Sequence, residues 1–149
     1  MLDESLVFVL AEDDDGHASL VRRNLQRAGI TNTIVHVPDG QAALEFINCV
    51  GDYADRAPNR PLLLLLDINM PRLDGIETLR QLKAADRTKR IPVIMLTTTD
   101  DPREIARCYD LGCSVYITKP VDYAQFVAAI RQLGLFLQVV QVPPQAVGG

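Results

Sequence analysis

The sequence has little cysteine, no excess of positive charge and no apolar run long enough to span a membrane. The three cysteines, Cys49, Cys108 and Cys113, are odd in number and form no Cys-x-x-Cys pair. This fits a reducing cytoplasm and small buried thiols better than a disulfide framework or a zinc site. The net charge of −4 and the pI near 5.1 exclude a general basic surface for nucleic acid. No signal peptide and no membrane segment are predicted.

The most informative stretch is a run of five leucines between Pro61 and Asp67. The composition, with 48% hydrophobic and 23% charged residues in 149, is that of one globular domain with a full core. Five consecutive leucines do not fit a half-solvated strand, so the run predicts a strand buried on both faces in a parallel sheet. Asp67 follows it at the carboxyl edge, where ligands gather in open α/β sheets. Asp74-Gly-Ile-Glu77 then predicts a capping box for the next helix.

Five apolar runs alternate with five amphipathic segments along the chain. The predicted strands lie near residues 6–11, 33–37, 62–66, 91–96 and 114–118, and helices are predicted after each of them. The alternation predicts an α/β fold, a (βα)5 doubly wound five-stranded parallel sheet with right-handed crossovers. Asp15 is predicted to cap the first helix. His17 and His36, which no motif pairs, are predicted to be surface or packing residues.

Chemically active side chains follow four of the predicted strands. Their order along the chain is Glu12 and Asp13, then Asp67, Thr97 and Lys119. Clustered carboxylates repel one another unless a cation joins them, and their oxygens suit a hard divalent ion such as Mg²⁺. A metal, a lysine and a hydroxyl around one carboxylate form a site for a phosphoryl group, with Asp67 as the nucleophile.

At these residues the chain resembles the receiver domain of two-component response regulators, from Leu6 to about Leu133. The resemblance implies a flavodoxin-like sheet with strand order 2-1-3-4-5. It implies a signalling protein, not an enzyme, that accepts a phosphoryl group from a sensor histidine kinase onto Asp67 in a Mg²⁺-dependent (or Mn²⁺-dependent) reaction. A histidine phosphotransfer protein is a further candidate partner. The output surface would be the face of helix four, strand five and helix five.

The resemblance also assigns roles residue by residue. Asp13 is a direct metal ligand, Glu12 acts mainly through water, and the backbone carbonyl of Asn69 completes the protein ligands. The switch and phosphate-binding residues are Thr97 (the switch hydroxyl), Tyr116 (the switch aromatic) and Lys119 (the phosphate-pairing lysine). Lys119-Pro120 resembles the cis peptide of the family.

The C-terminal part is more apolar than one domain face needs. Two apolar stripes, one through Phe126 and Leu137 and one through Leu135 and Val142, predict a helix end that needs a partner. With the long 51–61 connection, this tail resembles the stand-alone receivers that serve bacterial and cyanobacterial phytochrome kinases. That resemblance implies a phytochrome-type kinase partner and an arm-in-arm homodimer. The expected organisation is a receiver domain over residues 1–137, then a C-terminal extension over 138–149 and no output domain.

Two enzyme-like or cofactor-binding alternatives are disfavoured by single features. A haloacid-dehalogenase-like phosphatase needs a second aspartate two residues after its nucleophile as general acid, and that position is Asn69. A flavodoxin-like cofactor module needs a glycine-rich or Ser/Thr-rich cradle after the first strand, and here that loop is acidic.

Overall fold

The computed structural model describes residues 5–27, 29–56, 60–98 and 100–118, together with the single positions 124 and 128. The five strands are β1 (Val7–Ala11), β2 (Ile34–Val37), β3 (Leu62–Asp67), β4 (Val93–Thr97) and β5 (Val115–Thr118). The helices are α1 (Asp15–Arg27), α2 (Gly40–Asn48), α3 (Gly75–Ala84) and α4 (Pro102–Leu111). The predicted fifth helix and the C-terminal extension lie outside the described residues, apart from Ala124 and Ala128.

The five strands form one parallel sheet in the order β2-β1-β3-β4-β5. The predicted α/β fold and its strand order are therefore confirmed. β4 begins two residues later than predicted, at Val93. The Ile91 amide instead donates to the Thr88 carbonyl, and Pro92 has no N–H to donate to the neighbouring strand.

The leucine run lies at the centre of this sheet, and successive leucines face opposite layers of the core. Leu63 and Leu65 share one cluster with α1 residues such as Leu25. Leu64 and Leu66 belong to the other cluster, with residues of α2 and α3 that include Leu79. All six residues of β3 are buried. Burying each leucine side chain contributes about 1.5–3 kcal/mol at most. Because both faces of β3 are buried, no position in the run is left for a polar residue.

Helix α3 follows the loop after Asp67 and begins at the predicted cap, Asp74. The Asp74 carboxylate accepts a hydrogen bond of 2.8 Å from the Glu77 amide. Glu77 does not complete a capping box, because its side chain pairs with Arg80 and Gln81. The cap therefore comes from the aspartate alone, reinforced by the negative charge of Glu77 near the positive end of the helix dipole.

Helix α1 is capped one residue earlier than predicted. The Asp14 carboxylate accepts a 2.9 Å hydrogen bond from the His17 amide, three residues on, which is the N-cap pattern. Asp15 is the first helical residue. The prediction that Asp15 caps this helix is therefore wrong, because a run of three aspartates does not show which one adopts the cap conformation.

The connection after α2 is packed against that helix. It begins with a short 3₁₀ helix, Gly51–Tyr53, whose tyrosine ring lies edge-on to Phe46 at 5.2 Å between centroids. The Arg56 guanidinium stacks over the Phe46 ring at 4.4 Å and donates to the Phe46 and Ile47 carbonyls at 2.8 and 3.1 Å. Within the part of the chain that the structure describes, no helix is long and apolar enough to cross a membrane.

Candidate functional site

Three carboxylates converge at the carboxyl edge of the sheet, where β1 and β3 end side by side. Ala11 lies opposite Leu66 in the register, so Glu12 and Asp13 leave β1 beside Asp67 at the end of β3. One carboxylate oxygen of each of these three acids lies within 4.8 Å of the others. Glu12 and Asp67 are buried and Asp13 is exposed, so the cluster is reached from solvent on the Asp13 side.

The donor set of this acid pocket (Glu12, Asp13 and Asp67) fits a hard divalent cation. All three donors are carboxylate oxygens, the ligands that Mg²⁺, Mn²⁺ and Ca²⁺ prefer, and neither a cysteine nor a histidine belongs to the cluster. Three negative charges at such distances repel, and a divalent ion between them removes the repulsion. The partial exposure leaves room for the water ligands that Mg²⁺ keeps.

The two histidines of the chain both contact Glu12. The His36 Nε2 lies 2.7 Å from the Glu12 carbonyl oxygen, to which it donates, and the His17 Nδ1 lies 3.5 Å from the Glu12 Oε1. His17 is exposed and His36 is half-buried, as predicted for surface or packing residues, but the prediction did not include their contacts with Glu12. For His36 a signal existed: it lies opposite Leu10 in the register of β1 and β2, close to the end of β1.

The loop between β3 and α3 returns to the end of the strand. The Asn69 amide lies 3.4 Å from the Asp67 Oδ1, and Asn69 is exposed beside the acid pocket. The Gly75 amide donates to the Ile68 carbonyl at 2.8 Å. A Cβ on Gly75 would lie 2.1 Å from the Asp67 carbonyl oxygen, so the start of α3 rests directly on the strand backbone.

The predicted switch residues are joined by a hydrogen bond between their side chains. Thr97 ends β4 and is fully buried, one position beyond Leu96, which lies opposite Asp67. Tyr116 on β5 is half-buried and its hydroxyl bonds to Thr97. Burial, with Cys108 nearby, raises the pKa of Tyr116 to about 12 despite this bond, so the phenol stays protonated at neutral pH.

A second tyrosine, which the sequence patterns did not single out, joins α4 to β5. The Tyr109 hydroxyl accepts a hydrogen bond of 3.1 Å from the Tyr116 amide. Because β5 is the edge strand, this contact covers part of its open side. A chain of contacts therefore runs from α4 through Tyr116 to Thr97 at the sheet edge.

The role of Lys119 as the phosphate-pairing lysine stays a prediction. Lys119 and Pro120 lie outside the described residues, as does the predicted cis peptide between them. β5 is described to its last residue, Thr118, which lies opposite Thr97 in the register. Of the predicted site residues, the structure brings Glu12, Asp13 and Asp67 together, with Asn69 beside them.

A family model described as the response regulator receiver domain matches residues 8–131. Response regulator Rcp1 of Synechocystis sp. is 34% identical over 147 residues, which cover 96% of this chain and 99% of Rcp1. The solved Mn²⁺-bound form of Rcp1 superposes with a TM-score of 0.75 at 32% identity, covering 92% of this chain and 98% of that one.

Two further solved structures are similar over most of their length. A response regulator receiver domain from Rhodospirillum rubrum is 50% identical, with a TM-score of 0.74 and coverage of 95% of this chain and 99% of that chain. The bacteriophytochrome response regulator RtBRR is 37% identical, with a TM-score of 0.81 and coverage of 93% and 83%. The chain belongs to the receiver-domain family of two-component response regulators.

Proposed function

We propose that this protein accepts a phosphoryl group from a sensor histidine kinase onto Asp67, with Mg²⁺ or Mn²⁺ as cofactor. The observation that carries the proposal is the convergence of the Glu12, Asp13 and Asp67 carboxylates within 4.8 Å at the carboxyl edge of the sheet. A buried strand holds Asp67 in place, and the exposed Asp13 side leaves the pocket open to a partner. The protein is a signalling protein, not an enzyme with an external substrate, and it works in the cytoplasm.

The metal would be held by Asp13 and Asp67 directly, by the backbone carbonyl of Asn69, and by Glu12 through water. The existence of an Mn²⁺-bound form of the similar protein Rcp1 supports the proposal that this protein also binds a divalent ion. When bound, the ion supplies positive charge to the phosphoryl oxygens and removes the repulsion between the carboxylates. The His36 Nε2 holds the Glu12 backbone carbonyl, and the His17 Nδ1 lies 3.5 Å from the Glu12 Oε1.

In the transfer step an oxygen of Asp67 attacks the phosphorus of a phosphohistidine. The phosphorus–oxygen bond forms, the phosphorus–nitrogen bond breaks, and the imidazole nitrogen keeps the electron pair of the broken bond. The Thr97 hydroxyl, which lies on the neighbouring strand, and the Lys119 ammonium would each contact a phosphoryl oxygen. Hydrolysis of the acyl phosphate by water then returns the carboxylate.

The signal would leave through Thr97 and Tyr116. When the Thr97 hydroxyl turns towards a phosphoryl oxygen, its hydrogen bond to Tyr116 is lost, and Tyr116 can repack. The Tyr109 hydroxyl, bonded to the Tyr116 amide, would carry the change to α4. Phosphorylation thus shifts the population between two packings of the α4–β5 face, to the extent that its contacts differ between them.

The kinase partner is proposed to be of the bacteriophytochrome type. The similarity to the bacteriophytochrome response regulator RtBRR over 93% of this chain supports this choice. Phosphotransfer profiling against a panel of histidine kinases, with the phytochrome kinases assayed in light and in dark, tests it. Transfer from non-phytochrome kinases alone would contradict the partner and leave the receiver function intact. Onward transfer to a histidine phosphotransfer protein can be measured in the same assay.

The central test uses beryllofluoride, a mimic of the phosphoryl group, in the presence of Mg²⁺. The full chain should bind it, as followed by fluorine NMR, and Asp67→Ala should not. Asp15→Ala is the matched control, because Asp15 is an exposed carboxylate in the first turn of α1. Binding by Asp67→Ala would contradict the phosphoacceptor role. Rapid turnover of phosphate esters by the wild type would favour a phosphatase instead.

A homodimer through helix five and the C-terminal extension is also proposed, on the apolar tail of the sequence. Apart from Ala128, the residues concerned, from about Phe126 to Val142, lie outside the described residues. Light scattering should give a dimer for the full chain and a monomer for a chain ending at Leu133. A full-length chain that is monomeric at high micromolar concentration would contradict the proposal.

A further inference from the structure

An ion pair joins the loop after the phosphoacceptor to a distant part of the chain. The Arg72 Nε donates to the Asp39 Oδ2 at 2.7 Å, and its Nη2 donates to the Asp39 Oδ1 at 3.0 Å. This two-pronged geometry is the strongest form of an arginine–carboxylate contact. Arg72 belongs to the β3–α3 loop, five residues after Asp67, whereas Asp39 precedes α2. We refer to the pair as the Arg72–Asp39 bridge.

The carboxylate end of the bridge is a fixed point. Asp39 is buried and caps α2, because its Oδ1 also accepts a 2.8 Å hydrogen bond from the Ala42 amide. Burial alone would raise the pKa of Asp39, but the Arg72 guanidinium and the Ala42 amide hold it below its ordinary value. The arginine therefore meets a charged, hydrogen-bonded anchor at neutral pH.

A backbone contact beside the bridge joins the same two segments. The Gly40 amide donates to the Leu73 carbonyl at 3.1 Å. A Cβ on Gly40 would lie 2.0 Å from the Thr78 Oγ1 and 2.5 Å from the Leu73 carbonyl oxygen, so only glycine permits this approach. The β3–α3 loop is thus docked onto the start of α2 at two successive residues, Arg72 and Leu73.

The backbone of Arg72 adopts a conformation that the sequence alone would not favour. Its φ of 62° lies in the left-handed region, which few residues other than glycine adopt. Such a residue keeps this conformation when surrounding contacts determine it. The Arg72–Asp39 bridge and the neighbouring Gly40–Leu73 backbone contact are the contacts that hold Arg72 in this conformation.

We propose that the Arg72–Asp39 bridge is a positioning element that holds the Asn69 backbone against Asp67 and so sets the affinity of the acid pocket for its divalent ion. The inference rests on the proposed function, in which the Asn69 carbonyl is a metal ligand. Asn69 lies between the strand end at Asp67 and the anchored Arg72, and its amide faces the Asp67 Oδ1 at 3.4 Å. If the bridge is released, the Gly40–Leu73 and Gly75–Ile68 backbone contacts remain, but the guanidinium no longer anchors the loop at Arg72, three residues after Asn69.

The test compares Mn²⁺ affinity by titration with electron paramagnetic resonance for the wild type and four variants. Arg72→Gln removes the guanidinium, and Asp39→Asn removes the charge while keeping a side chain that caps helices well. The double variant combines the two. Arg80→Gln is the matched control, because Arg80 also pairs with a carboxylate, Glu77, but within one exposed turn of α3.

Each single bridge variant should bind Mn²⁺ about tenfold more weakly, as expected for residues that orient a ligand without touching the metal. The double variant should lose no more than the single ones, because both changes break one contact. Arg80→Gln should bind like the wild type. Hydrogen exchange of the metal-free proteins should be faster at the amides of residues 69–75 in the bridge variants, which separates positioning from general stability.

Wild-type Mn²⁺ affinity in Arg72→Gln would overturn the inference, and so would additive losses in the double variant. A loss shared by Arg80→Gln would show that general destabilisation is the cause and would overturn it too. Arg72 is largely exposed, so its replacement leaves no cavity, and Asp39→Asn provides an independent second variant. If the wild type itself binds no Mn²⁺, the proposed function fails instead, and the exchange rates still show whether the bridge holds the loop.

Discussion

Replacing Gly75 by alanine is expected to destabilise the fold from within the functional site. The new methyl group would lie 2.1 Å from the Asp67 carbonyl oxygen and 2.8 Å from the Ile68 Cα. Ordinary van der Waals contact begins at 3.4 Å, so the start of α3 and the end of β3 must separate by about 1 Å. Both neighbours are backbone atoms of a buried strand end, which cannot rotate away as a side chain would.

The magnitude follows from the cost of overpacking a dense interior. Inserting a methyl group where nothing can yield costs about 1–3 kcal/mol, and the propensity gain of alanine applies to helix interiors rather than to Gly75, the first residue of α3. For a domain of this size each kcal/mol lowers the melting temperature by roughly 3 °C. Gly75→Ala should therefore melt several degrees below the wild type, by roughly 3 to 10 °C.

Circular dichroism melts of the metal-free protein measure this effect, with Gly16→Ala as the control. The added methyl group of that variant would meet only the Asp14 Oδ1, at 3.1 Å, in the exposed first turn of α1. Its stability should stay within about 0.5 kcal/mol of the wild type. Because Gly75→Ala displaces the backbone at Asp67, it should also weaken Mn²⁺ binding.

A Gly75→Ala protein that melts within about 1 °C of the wild type would refute the reasoning, since the net cost of the clash would then be less than about 0.3 kcal/mol. Equal destabilisation by Gly16→Ala would refute it as well. In either case the close approach of α3 to β3 would not be the reason why position 75 requires glycine.

Three further predictions concern the Asp39 carboxylate, the two buried cysteines and the Tyr116 hydroxyl. The pKa of Asp39 is lower in the folded protein than in the unfolded one, so its charge stabilises the fold above the unfolded pKa of about 3.9. This stabilisation is lost as the pH falls through the lower folded pKa. The urea midpoints of Asp39→Asn and wild type should therefore converge from pH 7 to pH 3, and a constant difference would contradict this. Burial raises the pKa of Cys108 to about 11 and of Cys113 to about 12, so iodoacetamide should spare both thiols until the protein unfolds, as mass spectrometry would show. Tyr116→Phe removes the hydrogen bond to Thr97 and should lower the free energy of unfolding by about 0.5–1.5 kcal/mol in urea titrations; an unchanged value would argue against that bond.

The sequence predicts the fold and the acid pocket well because both depend on local patterns and on one general rule. Buried apolar runs mark the strands, aspartates and glycines mark the helix ends, and the carboxyl ends of parallel strands share an edge. Glu12 and Asp67 could therefore be placed together before any coordinates. The same rule could not show that Asp14 rather than Asp15 caps α1, because that choice depends on one residue's backbone angles.

The contacts that surround the pocket could not be predicted, since they depend on side-chain conformations and on the path of a loop. Arg72 and Asp39 belong to different segments, and neither stands in a motif that pairs it with the other. The Tyr109 contact with the Tyr116 backbone depends on how α4 packs against the edge strand, which no local pattern shows. His36 is the exception, since the register of β1 and β2 brings it near Glu12.

The position of β3 has a consequence for how the molecule can respond. This strand has a neighbour on each side and a packed layer on each face, so it cannot open unless the whole sheet opens. Asp67 is thus attached to the part of the protein with the highest local stability. Rearrangements that leave the domain folded are therefore expected at the edges of the sheet, and β5 with α4 packed on it forms one of these edges.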